Sequence, residues 1–213
     1  KINWCSVDKA TLTQSEMHEF NKKMAEAKKL REHEEEINRT KARSKASKIW
    51  EQSVKPPTDH PYLISKRVQS HGLKLSRGKL IVPLYDQNQV LQSLQFIGPD
   101  GEKRFLRGGL TKGCYFPIEG ALDKILYIAE GFATAATVHE VTGSAVAVAF
   151  YANNLEPIAK ALREKFPNLE IVICADDDHQ TKGNPGIRKA IEAATATRSK
   201  VVIPEFDGNR SDS

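Results

Sequence analysis

The sequence predicts an α/β fold: a parallel-sheet domain preceded by a small antiparallel β-rich subdomain and a long N-terminal helical segment. Three observations carry this. From Ile125 onward, short apolar runs alternate with helical patterns, and strand–helix repeats of that length imply a parallel sheet with right-handed crossovers. Between Leu80 and Pro117 the apolar runs are separated by turn residues instead of helices. From Lys22 to Glu51 the chain is rich in Ala, Glu, Lys and Arg and contains neither Gly nor Pro. The expected divisions are a charged helical segment (1–59), a β-rich basic subdomain (60–121) and the α/β domain (122–213).

Thr13-Gln-Ser-Glu16 fits a reciprocal helix cap, and Met17, Phe20, Met24 and Ala27 follow as a thin apolar stripe. One long helix, or two in series interrupted near Asn38, is expected up to Lys55-Pro56-Pro57, which breaks any helix. No sustained heptad supports a coiled coil. Arg39, Lys41, Arg43, Lys45 and Lys48 follow an acidic knot at Glu32–Glu36. That run fits a solvated helix face, with a phosphate backbone as the alternative occupant.

His60–Val68 reads as a short helix or turn with Tyr62, Leu63 and Val68 facing inward. Leu80–Tyr85 and Val90–Ile97 read as strands around the turn Asp86–Gln89, followed by Lys103–Leu106 and Cys114–Pro117. Lys103, Arg104, Arg107 and Lys112 stand beside Phe105 and the glycines Gly108, Gly109 and Gly113. Such a mixture suits single-stranded nucleic acid, and equally an edge strand protected by charge. In the last part, Ile125–Ala129, Ser144–Phe150, Leu169–Ala175 and Lys200–Pro204 are the expected strands. The helices between them are Phe132–Val141 (stopped by Gly143), one capped by Asn154 with Leu155, Ile158, Ala159, Leu162 and Phe166 inward, and Gly186–Arg198.

The chain of 213 residues has 28% charged residues and a net charge of +5, a modest pointer to a polyanionic partner. No apolar run reaches the length of a membrane span, and the start has neither a signal-peptide layout nor a methionine, the pattern of an excised fragment. Cys5, Cys114 and Cys174 are scattered and odd in number, which argues against a disulfide framework or a zinc site and for a reducing cytoplasm.

Two acidic clusters follow strands directly: Glu130-Gly131, and Asp176-Asp177-Asp178 after Ala175. Carboxylates at the C-terminal ends of neighbouring parallel strands meet at the edge where open α/β folds bind ligands. Side chains two apart in an extended segment point the same way, so Asp176 and Asp178 can share a metal with Glu130 opposite. Asp177 is a secondary ligand or a solvent-facing residue. Oxygen-only ligands select Mg²⁺ or Mn²⁺.

The order strand–Glu130-Gly131–helix, apolar strand, strand–Asp176-x-Asp178 resembles the Toprim domain of bacterial-type primases, type IA and type II topoisomerases and related nucleases, over about Leu122 to Pro204. Upstream, His60-Pro-Tyr-Leu63, Leu80–Asp86, Pro99–Leu106, Lys112-Gly-Cys-Tyr115, Ala129–Thr137 and Asp176–Gly186 are similar to primase regions of plasmid-conjugation and satellite-phage replication proteins. The resemblance implies a Toprim-like fold and a DNA primase catalytic core. Its activity would be metal-dependent, template-directed primer synthesis from nucleoside triphosphates on single-stranded DNA, in plasmid, phage or mobile-element replication. It further implies a bacterial cytoplasmic setting and a replicative helicase, or a helicase domain of the same longer polypeptide, as partner. Relatives often carry a zinc-binding segment ahead of this region, which this sequence lacks, and they continue beyond the equivalent of Ser213 into a further acidic stretch.

On that resemblance the catalytic residues are Glu130, Asp176 and Asp178, and the metal ligands are these with Asp177. Lys66, Arg67, Lys103, Arg104, Arg107 and Lys112 are candidates for template or triphosphate contacts, with Lys182 and Arg188 as weaker ones. A Toprim-type nuclease or topoisomerase fragment, and a non-catalytic nucleic-acid-binding module, are the alternatives. A topoisomerase additionally requires a tyrosine nucleophile in a separate domain, and nothing in the sequence looks like one.

Overall fold

In the computed structural model, residues 13–177, 181 and 183–204 are described. Thr13 opens the first helix, α1 (Gln14–Gln52), through the reciprocal cap that the sequence predicts: its hydroxyl accepts from the Glu16 amide while the Glu16 carboxylate accepts from the Thr13 amide at 2.9 Å. The helix runs 39 residues without interruption at Asn38. No residue between Lys22 and Glu51 removes a backbone donor or favours a break, and ion pairs four residues apart, Glu19–Lys23 and Glu35–Arg39, line its surface. Gln14–Asn38 are exposed apart from the half-buried Met17. Burial begins only beyond that point, where Ala42 and Ala46 meet Ile81, Leu94 and Leu106, with Ile49 and Trp50 at the margin. Small residues let the helix axis approach the sheet closely.

A short helix, α2 (Pro61–Lys66), precedes four antiparallel strands, β1 (Lys74–Ser76), β2 (Lys79–Tyr85), β3 (Leu91–Ile97) and β4 (Lys103–Phe105), in spatial order β1-β2-β3-β4. Strand β1 went unrecognised in the sequence. Its signal is the pair Arg77-Gly78, both at positive φ, the two-residue turn that joins twisted antiparallel strands. Strand β2 is apolar from Leu80 to Leu84 because that stretch is buried on both faces: Ile81 faces α1, whereas Leu80, Val82 and Leu84 face the interior. Pro83 is tolerated there because β1 pairs only as far as Ile81.

The second sheet has the order β5-β7-β6-β8-β9, formed by β5 (Phe116–Ile118), β6 (Ile125–Ala129), β7 (Val146–Val148), β8 (Glu170–Cys174) and β9 (Lys200–Val202). All pairs are parallel except β5–β7. The segment Cys114–Pro117, expected as a further strand of the antiparallel meander, therefore lies elsewhere: β5 is an edge of the parallel sheet. Reciprocal backbone bonds between Tyr85 and Tyr115, at 2.9 and 2.8 Å, carry the chain from one sheet to the other. Helix α3 (Phe132–Thr142) lies between the sheets, and its Phe132, Ala135 and Ala136 share one apolar layer with Tyr62, Leu63, Leu80, Val82 and Phe116. Helices α4 (Leu155–Lys165) and α5 (Pro185–Thr197) cover the opposite face, burying Leu155, Ile158, Ala159 and Leu162 at the spacing predicted for α4. No helix among the described residues is long and apolar enough to cross a membrane.

Asn154 does not cap α4 with its side chain. It is fully buried, and its amide donates to the carbonyls of Cys114 at 2.9 Å and Ala149 at 2.8 Å while its oxygen accepts from the Gly113 amide at 2.7 Å. The Gly108-Gly109 pair has a similarly internal role. A Cβ on Gly109 would stand 2.1 Å from the Ser93 hydroxyl and one on Gly108 would stand 3.6 Å from the Asn38 carbonyl, so the pair lets its own chain pass under α1 instead of admitting a ligand. Between α2 and β1, Glu140 on α3 accepts from the Gln69 amide at 2.8 Å and pairs with the His71 ring at 2.5 Å. The His139 ring stands edge-on to His71 at 4.9 Å.

Replacing Asn154 by Ala strands these buried partners and is expected to cost roughly 2–3 kcal/mol, read as a lower urea midpoint at unchanged slope. Burial raises the Glu140 carboxyl, but the Gln69 amide, the His71 bond and the charges of His71 and His139 together hold it below the ordinary glutamate value. A depressed carboxyl contributes stability above its unfolded pKa and loses it as pH falls through the folded one. The stability difference between wild type and Glu140→Gln should therefore shrink on acidification below the ordinary glutamate range, as followed by urea unfolding at several pH values.

Candidate active site

Strand β6 is central, and β8 pairs beside it in parallel with Ala129 opposite Cys174. The residues that follow, Glu130 and Ala175–Asp177, therefore leave the sheet at the same end. The carboxylates of Glu130, Asp176 and Asp177 are half-buried there, and Glu130 Oε2 is inaccessible to solvent. Gly131 starts α3 directly after Glu130, so the first turn of that helix lies at the acidic edge. From this turn the Thr134 hydroxyl donates to Asp176 Oδ1 at 3.3 Å, joining the first acidic element to the second.

Asp176 and Asp177 face different partners. Asp177 Oδ1 accepts from the Asn184 side-chain amide at 2.7 Å, and Asn184 caps α5 by accepting from the Ile187 amide at 3.4 Å. The strand alternation anticipated for the aspartates does not extend to them, because β8 ends at Cys174. Asp178, His179 and Lys182 lie outside the described residues, as do Asp207 and Asp212. Among the described residues no group of three His, Cys, Asp or Glu side chains is disposed to hold a metal ion. The donors brought to this edge, Glu130, Asp176 and Asp177, are nevertheless all carboxylates, the set that suits a hard divalent cation.

Of the basic candidates, Lys103 reaches the edge. A Cβ built on Gly131 would lie 3.7 Å from Lys103 Nζ and 4.0 Å from Thr134 Oγ1. Lys103 thus crosses from the antiparallel sheet to the end of β6. Arg104, next along β4, holds Glu102 Oε1 through Nε at 2.9 Å and Nη2 at 2.6 Å. Lys66 and Arg67 are exposed at the end of α2, Arg107 is exposed beside Gly108, and Lys112 is exposed in the loop that Asn154 fastens. Arg188 is engaged with Glu192 on α5 at 2.9 Å. Cavities of about 430 and 520 Å³ flank β5, lined by Tyr115, Leu126 and Phe166 in one case and Trp50, Tyr85 and Phe116 in the other, and neither includes the acids.

Sequence reasoning missed Thr134, Asn184 and an aromatic group in which the Phe105 ring stands 6.0 Å from Phe150 and 6.2 Å from Tyr151. Asn184 was readable as a cap before Pro185, since Pro at the first helical position follows such a residue. Thr134 had no local signal, because its partner is 42 residues away.

Residues 125–212 match the family model of the Toprim domain. Two DNA primases TraC of Escherichia coli are similar to the chain: one is 42% identical over 168 residues, covering 73% of this chain and 16% of the relative. The other is 40% identical over 164 residues, covering 72% and 11%. The chain thus spans less than a fifth of either relative. Among solved structures, the primase fragment of the bacteriophage T7 primase-helicase protein aligns at a TM-score of 0.49 and 18% identity over 68% of this chain and 64% of that one. A DNA primase domain from Pseudomonas aeruginosa aligns at 0.45 and 12% identity over 62% and 44%. The Toprim-domain match takes in strands β6 to β9 and both acidic clusters.

At the foot of the acidic turn, burial and then the Asp176 charge push the Cys174 thiol up to about 11, and burial with Asp86 pushes Cys114 up to about 12. Thiols so protonated are poor nucleophiles. Iodoacetamide at pH 8 is expected to leave both unmodified in the folded chain and to alkylate both in urea, as read by peptide mass spectrometry.

Proposed function

We propose that this chain is the catalytic core of a DNA primase that makes short primers from nucleoside triphosphates on a single-stranded DNA template, in replication of a plasmid or other mobile element. The observation that carries the reading is the convergence at one sheet edge of Glu130, Asp176 and, from the other sheet, the Lys103 ammonium beside Gly131. The similarity to DNA primases TraC supports the same reading across both sheets. In this scheme residues 60–121 guide nucleic acid and residues 122–213 carry the chemistry.

Glu130 and Asp176, with Asp178 beyond the described residues, would hold Mg²⁺ or Mn²⁺, and Asp177 would be a secondary ligand. When bound, the ion supplies neutralisation of triphosphate charge and a lowered pKa for the primer 3′-hydroxyl. The chain's own groups do the rest. The Thr134 hydroxyl donates to Asp176 Oδ1 and so orients that carboxylate. The Asn184 amide holds Asp177 and so sets the path of the loop that carries the aspartates. Lys103 brings a compact positive charge to the phosphates, and Gly131 leaves the backbone accessible to them. Lys66, Arg67, Arg104, Arg107 and Lys112 remain candidates for the template backbone, where each contact adds salt-dependent affinity.

Incubation with single-stranded DNA, Mg²⁺ or Mn²⁺ and labelled nucleotides should yield short oligonucleotides in wild type and none with excess EDTA. The double variant Asp176→Asn with Asp178→Asn should lose at least about 100-fold in rate while keeping the wild-type circular dichroism spectrum. Cleaved template without new oligonucleotides would assign the same acids to a nuclease. Undiminished synthesis by the double variant would refute the site.

A further inference from the structure

We propose that Phe105, backed by Phe150 and Tyr151, is a stacking platform that seats an unpaired nucleobase beside the acidic edge. The inference rests on the reading of that edge as a site that handles nucleotides.

Strand β4 is an edge strand with all three residues exposed. Alternation along it sends Lys103 and Phe105 to one side and Arg104, clasping Glu102, to the other. Phe105 remains 38% exposed, although its ring meets Phe150 at 6.0 Å and 70° and Tyr151 at 6.2 Å and 82°. Two edge-to-face contacts fix its orientation without covering it. A residue serving only to seal the core beneath would be covered itself, and Phe150 is already buried.

The backing is anchored to the acidic element. The Phe150 amide donates to the Glu130 carbonyl at 2.7 Å, and Phe150 adopts φ +73°, a conformation uncommon for a bulky side chain. This sharp turn ends β7 and delivers the neighbouring Tyr151 to Phe105; the Tyr151 hydroxyl lies 3.4 Å from that of Thr111. Two residues from Phe105 on the same side of β4 is Lys103, whose ammonium stands by Gly131. An aromatic face and a cation set one dipeptide repeat apart grip a base and a phosphate at the same time, which tolerates any base because every base has a π-face. The shared chemistry is that of an unpaired base attached to phosphate, whether in a DNA strand or in a free nucleoside triphosphate.

The test uses the whole chain without metal, so that it does not depend on synthesis. Wild type, Phe105→Leu and Phe105→Trp are titrated with a labelled oligothymidylate and with an abasic oligonucleotide of equal length. Phe105→Leu keeps an apolar side chain and removes only the π-face. It should bind oligothymidylate about 10-fold more weakly and the abasic strand equally well. Phe105→Trp should keep wild-type affinity, and its emission, above the background of Trp4 and Trp50, should be quenched by base-bearing ligands alone. Quenching by oligothymidylate identifies a strand base as the occupant; quenching by a nucleoside triphosphate alone identifies the incoming base. The proposal is overturned if Phe105→Leu matches wild type on both oligothymidylate and a nucleoside triphosphate, if base-bearing and abasic strands weaken equally, or if no ligand quenches Phe105→Trp. A wild type that binds oligothymidylate and nucleoside triphosphate independently of Phe105 would sink the platform and leave the primase reading standing. Quenching without primer synthesis by wild type would do the reverse.

Discussion

The side-chain amide of Asn154 joins two stretches of chain that are distant in sequence. It holds the Gly113 amide and the Cys114 carbonyl before β5, and the Ala149 carbonyl at the end of β7. With no exposed surface, it has no water to replace those partners. The consequence is geometric. The chain that leaves the antiparallel sheet is fastened to the end of the parallel sheet that carries the acids, and Phe116–Ile118 can then pair with β7 as an edge strand. That attachment adds to the Tyr85–Tyr115 backbone bonds and to the apolar layer around Tyr62, Phe116 and Phe132, which is non-directional. An apolar layer brings surfaces together; a network of four directed hydrogen bonds fixes their register.

The register matters because the acidic edge draws on both sheets. Glu130 and Asp176 come from neighbouring parallel strands, and Thr134 connects them through the first turn of α3. Lys103, by contrast, comes from the last strand of the antiparallel sheet, and its ammonium arrives at Gly131 only because the sheets are superposed. Positive charge next to the carboxylates lowers their mutual repulsion, and the absence of a side chain at Gly131 leaves room for it. The like charge of the neighbouring residue, Arg104, is instead paired with Glu102 on the other side of β4. Alternation along three residues of backbone thus separates a cation facing the acids from one facing away.

Much of this was legible in the sequence, for identifiable reasons. The apolar runs before Glu130 and Asp176 gave the parallel strands, and the spacing of Leu155, Ile158, Ala159 and Leu162 gave the buried face of α4. Both signals are local. What escaped was non-local or depended on single backbone turns. The expected strand Ser144–Phe150 shrinks to Val146–Val148 because Phe150 turns the chain at positive φ, which no residue type at that position signals. Asn154 sits where a cap belongs, yet its side chain is claimed by partners up to 43 residues away. The glycines at 108 and 109 read as freedom for a ligand, whereas the close neighbours are Ser93 and α1. The bond of Thr134 to Asp176 likewise belongs to the fold and not to either motif.

The uncovered half of α1 has a consequence for how the molecule moves. From Gln14 to Asn38 the helix lies in solvent, a rod of roughly 37 Å at the standard rise per residue. Most of the mass sits at the other end, so the chain tumbles as an elongated body, with slower end-over-end rotation and greater drag than a sphere of equal weight. Phe20, Met24, Leu30 and Ile37 are carried out along that rod, away from the two sheets. Anything bound near its tip would be held at a fixed standoff from the acidic edge, since an unbroken helix transmits position and orientation where a flexible tether would transmit neither.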